Sequence, residues 1–160
     1  MTRWTTGWVR PMADMSVFAE TVDDVTLRVR AVAGSAGPRL RVELSNAFGD
    51  EPLVIGRVVV TVGSELVEAS FDGKKATSIP AGVSSWTDVV SLPVHAGQEI
   101  VVDVYLPRRV RLSTGNFALM PVEISTTGNH VGADPFPAVP TPMIPAPDGS
   151  EMSIPVSIRL

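Results

Sequence analysis

The feature that most constrains the fold is a strict alternation of apolar and polar residues, clearest along residues 98–107. A two-residue period places alternate side chains on opposite faces of a β-strand, whereas an amphipathic helix repeats every three to four residues. Similar segments recur between turns rich in glycine and proline, with no long helical period among them. We therefore predict an all-β fold, a single antiparallel β-sandwich over residues 1–160 with a jelly-roll-like topology. The predicted inward residues of the strongest strand are Ile100, Val102, Val104 and Leu106.

Two alternating segments, residues 25–33 and 39–45, are separated by the turn sequence Gly-Ser-Ala-Gly-Pro at residues 34–38. We predict that they form a β-hairpin, because segments joined by such a turn commonly pair with each other. Arg28 and Arg30 then lie on the side of the sheet opposite to the aliphatic residues. We expect this side to be a surface exposed to water.

The sequence Ser-Asn-Ala-Phe-Gly, from Ser45 to Gly49, is a shaped turn between two strands, and we call it the signature turn. Asn46 and Gly49 suit positions that need a tight or left-handed backbone. Phe48 is predicted to plug the end of the hydrophobic core. Farther along, Gly56 interrupts an apolar segment and predicts a bulge or a bend.

The C-terminal part begins with a proline-rich segment, residues 134–148. Since proline lacks a backbone N–H and fixes φ, we predict a loop packed over the surface of the domain. Residues 151–160 then alternate regularly and predict a closing core strand, in which Pro155 points to a sheet edge.

Composition and motifs exclude several classes of function. There is no cysteine, and the net charge of -4 with scattered basic residues argues against nucleic acid as a partner. No segment is long and apolar enough to span a membrane, and no signal peptide precedes the first strand, which leaves a cytoplasmic protein or a fragment of a secreted one. His95 and His130 lack metal-ligand spacing, and neither Gly-x-Ser-x-Gly nor Gly-Asp-Ser occurs. We therefore predict no catalytic residue, no metal and no cofactor in this chain.

Four aromatic side chains could form a platform for a ligand such as a sugar: Trp4, Trp8, Trp86 and Tyr105. The simpler interpretation is that they pack in the core or at its edge, as most aromatic residues of a sandwich do. A stand-alone module that binds carbohydrate, or that assembles into homo-oligomers through edge strands, is therefore one hypothesis for the function.

Residues 39–56, RLRVELSNAFGDEPLVIG, resemble the signature of the N-terminal β-sandwich domain of a group of SGNH/GDSL-type hydrolases. The signature turn is the most specific part of this similarity. Further matches are the tryptophan-containing start, the VTLR strand at residues 25–28, the Pro-Ala-Gly turn at residues 80–82, VDVYLP at residues 102–107, and Gly-Asn-His-Val-Gly at residues 128–132. The resemblance covers about residues 3–133.

The resemblance implies that this chain is a non-catalytic accessory domain and that an ester hydrolase domain of esterase or lipase type follows it in the parent protein. The accessory domain would flank the active site of the hydrolase domain, or would contact a polysaccharide or an acylated substrate. The catalytic serine, the oxyanion-hole residues and the Asp-x-x-His pair of the family have no matching positions here. The resemblance therefore assigns no catalytic residue to this chain.

Overall fold

The computed structural model describes residues 3–9, 11–115 and 122–140, together with three short strands at residues 143–145, 151–153 and 158–159. Within these residues the one helical element is a 3-10 turn at Ser16–Phe18, and no helix there has the length and apolar character that a membrane crossing needs. The strands in chain order are β1 (Ala13–Asp14), β2 (Glu20–Val22), β3 (Val25–Val32), β4 (Glu43–Ser45), β5 (Leu53–Ile55), β6 (Arg57–Val62), β7 (Glu65–Ala69), β8 (Thr77–Ile79), β9 (Ser84–Trp86), β10 (Glu99–Leu106), β11 (Val110–Leu112), β12 (Thr114–Gly115), β13 (Glu123–Thr127), β14 (Ala138–Val139), β15 (Met143–Pro145), β16 (Glu151–Ser153) and β17 (Ile158–Arg159).

The largest sheet has six strands in the order β14-β13-β3-β10-β6-β7, and the strand pairs within it are antiparallel. Shorter pairings complete the fold: β17-β4-β9, β5-β8, β11-β2, β1-β12 and β15-β16. Aliphatic residues from the large sheet and from most of these shorter pairings join one hydrophobic core. The predicted all-β, antiparallel β-sandwich is therefore confirmed, while the jelly-roll-like topology and the single domain stay predictions.

The core face of the large sheet follows the two-residue period of its central strands. Val102 in β10 lies opposite Val29 in β3 and Val60 in β6, and all three are almost fully buried. Strand β10 places its four predicted inward residues in the core, as the alternation indicated. Burying β-branched side chains in facing rows across neighbouring strands is what stabilises the sheet.

The predicted hairpin between residues 25–33 and 39–45 is wrong. Strand β3 pairs with β10 and β13, whereas β4 pairs with β9 and β17, so the two segments enter different sheets. Alternation assigns each side chain to a face of its strand, but it does not determine which strand becomes the neighbour.

The prediction of a water-exposed face is wrong at Arg28 and holds at Arg30. Arg28 is 7% exposed because residues 128–136 cover this part of the outer face, and its guanidinium donates to Asp103 at 2.6 and 2.7 Å. Arg30 is partly exposed and forms ion pairs with Glu99 and Glu123, both at 3.1 Å. One strand face therefore carries both a buried and a solvated arginine.

The bulge or bend predicted within one long strand at Gly56 is a break between two strands, since β5 ends at Ile55 and β6 begins at Arg57. The chain leaves β5, which pairs with β8, and enters β6 in the large sheet, so the strand is interrupted and its pairing partner changes at this residue. The Gly56 N–H donates to the carbonyl of Tyr105 at 2.9 Å, and a Cβ at this position would lie 2.8 Å from Cδ1 of the Tyr105 ring. Glycine is therefore required here by close approach.

The C-terminal part differs from the predicted surface loop followed by one closing strand. The proline-rich segment contains β14 and β15, and residues 151–160 contribute β16 to a pairing with β15 and β17 to a pairing with β4. Pro155 and the predicted core side chains of this last segment lie outside the described residues.

Candidate functional site

A cleft of about 490 Å³ lies where residues 3–7, the turn at residues 35–38 and residues 39–41 meet beside Trp86. We call it the Arg41 cleft. Its volume falls within the range typical of small-molecule sites, about 300–1,000 Å³.

Backbone hydrogen bonds hold the residues that form the cleft. Leu40 exchanges two hydrogen bonds with Val90, at 3.0 and 2.8 Å. On the other side of Arg41, the Val42 N–H donates to Oγ1 of Thr87 at 2.9 Å and the Val42 carbonyl accepts from the Thr87 N–H at 2.8 Å. Because both of its neighbours are fixed, the backbone of Arg41 has little freedom to move.

The guanidinium of Arg41 contacts two of the four predicted platform residues. Its central carbon lies 4.8 Å from the ring centroid of Trp4 and 4.5 Å from that of Trp86. The guanidinium of Arg39 lies 5.4 Å from the Trp4 ring. These are cation–π distances, and each such contact stabilises an exposed pair by about 0.5–1 kcal/mol. Arg41 therefore connects Trp4 and Trp86, although the two tryptophans lie far apart in sequence.

The other two predicted platform residues lie elsewhere. Trp8 is partly buried and packs against the hydrophobic core, and Tyr105 lies in β10 of the large sheet. The Tyr105 hydroxyl donates to Oδ1 of Asp24 at 2.6 Å, and this hydrogen bond raises the pKa of the phenol. The predicted platform is therefore two residues within one cleft and two residues outside it.

Positive charge is concentrated at the cleft. Arg3, Arg39 and Arg41 all line it, and none of the described residues around it is acidic. Within the described part of the chain, Arg41 makes no hydrogen bond and no ion pair. Glu43, two residues along the strand, is buried and does not line the cleft.

Sequence reasoning singled out the tryptophans and missed the arginines. The available signal was the spacing of Arg39 and Arg41, because residues two apart on a strand share a face. By itself, that pattern predicts only the polar side of a strand. The contact between Arg41 and the distant Trp4 needs the tertiary structure.

The signature turn is built around the buried side chain of Asn46, which is 5% exposed. Its Nδ2 lies 2.9 Å from the Glu51 carbonyl, 3.1 Å from that of Ile79 and 3.3 Å from that of Pro80. Its backbone N–H donates to the Val83 carbonyl at 2.9 Å. One amide thus ties the signature turn to the Pro-Ala-Gly turn, and removing a buried amide that satisfies several partners typically costs about 1–3 kcal/mol or more.

Asn46 is buried within the signature turn, whereas Phe48 is exposed. Phe48 is 41% exposed, so the prediction that it plugs the core is wrong. Ser45 accepts from the hydroxyl of Ser84 at 2.9 Å, and a Cβ on Gly49 would lie 1.9 Å from Oδ1 of Asn46. Gly49 is needed for this close approach, and neither Gly49 nor Asn46 has a positive φ.

A second polar cluster lies on the outer face of the large sheet. Arg28 and Asp103 form a bidentate ion pair, and Oδ2 of Asp103 also accepts from the Gly132 N–H at 2.7 Å. Arg28 donates to the Ala133 carbonyl at 2.9 Å, and its guanidinium lies 4.2 Å from the ring centroid of Phe136. The hydrogen bond to Asp103 raises the pKa of Arg28. This cluster is internally satisfied and has the character of a structural element.

The two histidines show no arrangement for acid–base chemistry. His95 is exposed, and its backbone N–H donates to Oε1 of Gln98 at 3.0 Å. Nε2 of His130 lies 3.0 Å from the Thr127 carbonyl and 3.4 Å from Oγ1 of Thr126. In the described part of the chain, neither ring contacts a carboxylate, and no three His, Cys, Asp or Glu side chains are grouped to hold a metal ion.

Comparison with models of known protein families gave no match, and a search of curated proteins gave none either. The resemblance to the SGNH/GDSL-type accessory domain therefore stays a prediction from sequence motifs.

Proposed function

We propose that this chain is a non-catalytic accessory domain that acts beside an SGNH/GDSL-type ester hydrolase domain in the parent protein. The proposal starts from the resemblance of residues 39–56 to the sandwich domain of those enzymes. The structural observation that supports it is the presentation of Phe48, 41% exposed, on the rigid signature turn.

The turn that carries Phe48 is fixed from several sides. The Phe48 N–H donates to Oγ1 of Thr114 at 2.9 Å, in addition to the hydrogen bonds of the neighbouring Asn46. After the turn, the N–H of Arg111 donates to Oε1 of Glu51 at 2.8 Å, and its guanidinium pairs with Asp50 at 3.1 Å. An apolar side chain on an ordered turn loses little conformational entropy when a partner covers it, which favours a docking role.

Val83 adds a second exposed apolar side chain beside the same turn. It is 45% exposed, and its carbonyl accepts the N–H of Asn46. Together, Phe48 and Val83 offer an apolar contact for a folded domain, and we assign this contact to the hydrolase domain. In this arrangement the accessory domain flanks the active site, while the nucleophile, the base and the oxyanion hole belong to the hydrolase.

The size of the natural protein is the first test. An antibody raised against residues 1–160 should detect a band well above 17.0 kDa in extracts of the source cells, since a hydrolase domain must be attached. The purified 160-residue chain should not hydrolyse p-nitrophenyl acetate above the buffer rate. A native band at 17.0 kDa, or turnover that scales with the concentration of the chain, would contradict the proposal.

Substituting Phe48 tests the docking role directly. In the isolated chain, Phe48→Ala should lower the free energy of unfolding by about 1–2 kcal/mol, less than the 3–5 kcal/mol of a fully buried phenylalanine. In the parent protein the same change should also lower the melting temperature of the hydrolase domain or its esterase activity. Differential scanning calorimetry and p-nitrophenyl acetate kinetics measure both effects.

Leu66→Ala is the matched control, because Leu66 is 49% exposed and lies in β7, away from the signature turn. It should leave the hydrolase domain unchanged. If the two variants affect the hydrolase equally, Phe48 has no special role in docking.

A further inference from the structure

We propose that the Arg41 cleft binds a saccharide that carries a carboxylate, such as a uronic acid unit of an acidic polysaccharide. This site lies apart from the signature turn and does not depend on an attached hydrolase domain.

The positive charge of the cleft favours an anionic ligand. Arg41 is partly buried and contacts two indoles, yet no described residue supplies it with a carboxylate. A partly desolvated guanidinium gains most from a ligand that restores an ion pair with two parallel N–H···O bonds. A planar carboxylate has two oxygens that can accept both of these parallel hydrogen bonds from the guanidinium.

The walls of the cleft suit a sugar ring. Trp4 and Trp86 remain 39% and 42% exposed despite their contacts with arginine, so apolar ring surface is left for the C–H groups of a pyranose. Thr5 and Thr6, both exposed, line the same cleft and offer hydroxyl groups for hydrogen bonds to sugar hydroxyls. The volume of about 490 Å³ accommodates one or two sugar residues.

The distribution of charge favours this ligand over a nucleic acid or free phosphate. Arg3, Arg39 and Arg41 give the cleft a local positive charge on a chain whose net charge is -4 and whose other basic residues are scattered along the sequence. Nucleic-acid binding depends on many phosphate contacts along an extended basic surface. Inorganic phosphate would use the arginines and leave the indoles without a role.

The test is isothermal titration calorimetry of the 160-residue chain with trigalacturonate, its fully methyl-esterified form and inorganic phosphate. Trigalacturonate should bind, with affinity that decreases as salt increases, and it should bind at least about tenfold more tightly than either comparator. Arg41→Ala should weaken binding at least about tenfold, and Arg41→Lys should restore only part of it because the planar fork is lost. Trp86→Ala should weaken binding of trigalacturonate and leave any phosphate binding unchanged.

Arg108→Ala is the control, because Arg108 is exposed and does not line the cleft. Circular dichroism of each variant shows whether it has folded, and Arg41→Lys keeps the proposal testable if Arg41→Ala does not fold. No heat of binding with trigalacturonate at millimolar concentrations would overturn the proposal. Equal affinity for the methyl ester would show that the carboxylate is not recognised, and equal affinity for phosphate would show that the sugar is not recognised. An effect of Arg108→Ala equal to that of Arg41→Ala would show that binding does not occur at the Arg41 cleft.

Discussion

Arg28 and Arg41 both lie on the polar side of an alternating segment, and the structure uses them in opposite ways. Arg28 is 7% exposed and satisfied by Asp103, a backbone carbonyl and the ring of Phe136. Arg41 contacts two partly exposed indoles and has no acidic partner among the described residues. The comparison shows that the role of a polar-side arginine depends on what covers it.

The cover over Arg28 consists of residues 128–136, which lie across the outer face of the large sheet. The N–H of Gly132 donates to Asp103, and the hydroxyl of Thr26 binds the carbonyl of Gly128 and the N–H of His130. A buried ion pair with its remaining lone pairs satisfied is a rigid structural unit. The Arg41 cleft has no such cover in the described residues, and its charge stays accessible to a ligand.

The largest expected effect comes from breaking the buried pair. Asp103→Ala should destabilise the chain by about 3–5 kcal/mol, because it leaves the Arg28 charge buried without a partner. Urea denaturation followed by tryptophan fluorescence measures the change.

Two controls decide the interpretation of that result. Glu123→Ala removes one partner of the partly exposed Arg30 and should cost no more than about 1 kcal/mol. The double variant Arg28→Met with Asp103→Leu should recover much of the loss, since two apolar side chains leave no charge uncompensated. If Asp103→Ala costs as little as Glu123→Ala, the buried pair does not differ from a surface pair.

The next effect is smaller and concerns the other arginine. Arg41→Ala should change the free energy of unfolding by less than about 1 kcal/mol, because it removes cation–π contacts between partly exposed groups. The same urea titration checks this value. A loss comparable to that of Asp103→Ala would mean that Arg41 is a structural residue like Arg28.

The smallest effect is expected at Glu68, a partly exposed acid in β7. Hydrogen bonds from Lys75 and then Arg57 lower the pKa of Glu68 below its usual value of 4.5. Its contribution to stability is therefore complete above the unfolded-state pKa and is lost as the pH falls through the lower folded-state value. Glu68→Gln should make the decrease in unfolding free energy between about pH 5 and pH 3 less steep. A decrease as steep as that of the wild-type chain would show that Glu68 does not contribute to the pH dependence of stability.

The strands could be predicted well from the sequence, but their partners could not. Alternation located β3 and β10 and gave the buried side of each, because the two-residue period is a local property. It also led to a hairpin between residues 25–33 and 39–45 that does not form, since the true neighbours of β3 are β10 and β13. Pairing depends on contacts between distant segments, which a local pattern does not contain.

The candidate site could be predicted only in part. Trp4 and Trp86 are two of the four predicted platform residues, whereas no prediction includes Arg41, whose guanidinium contacts both rings. Arg28 is predicted to face water, although residues about a hundred positions later cover it. Phe48 is predicted to be buried because it is large and apolar, yet it is exposed, and the nearby amide side chain of Asn46 is buried instead.

The strand order of the large sheet also affects how the chain emerges during its synthesis. Strand β3 lies between β10 and β13, both of which are translated long after it. On the ribosome, β3 therefore remains unpaired until the later strands emerge, since only residues that have left the exit tunnel can pair. Long-range pairing of this kind slows folding and leaves apolar β-branched segments open to other chains. A nascent chain that stalls before β10 would expose Val25–Val32 and would be a natural target for chaperones.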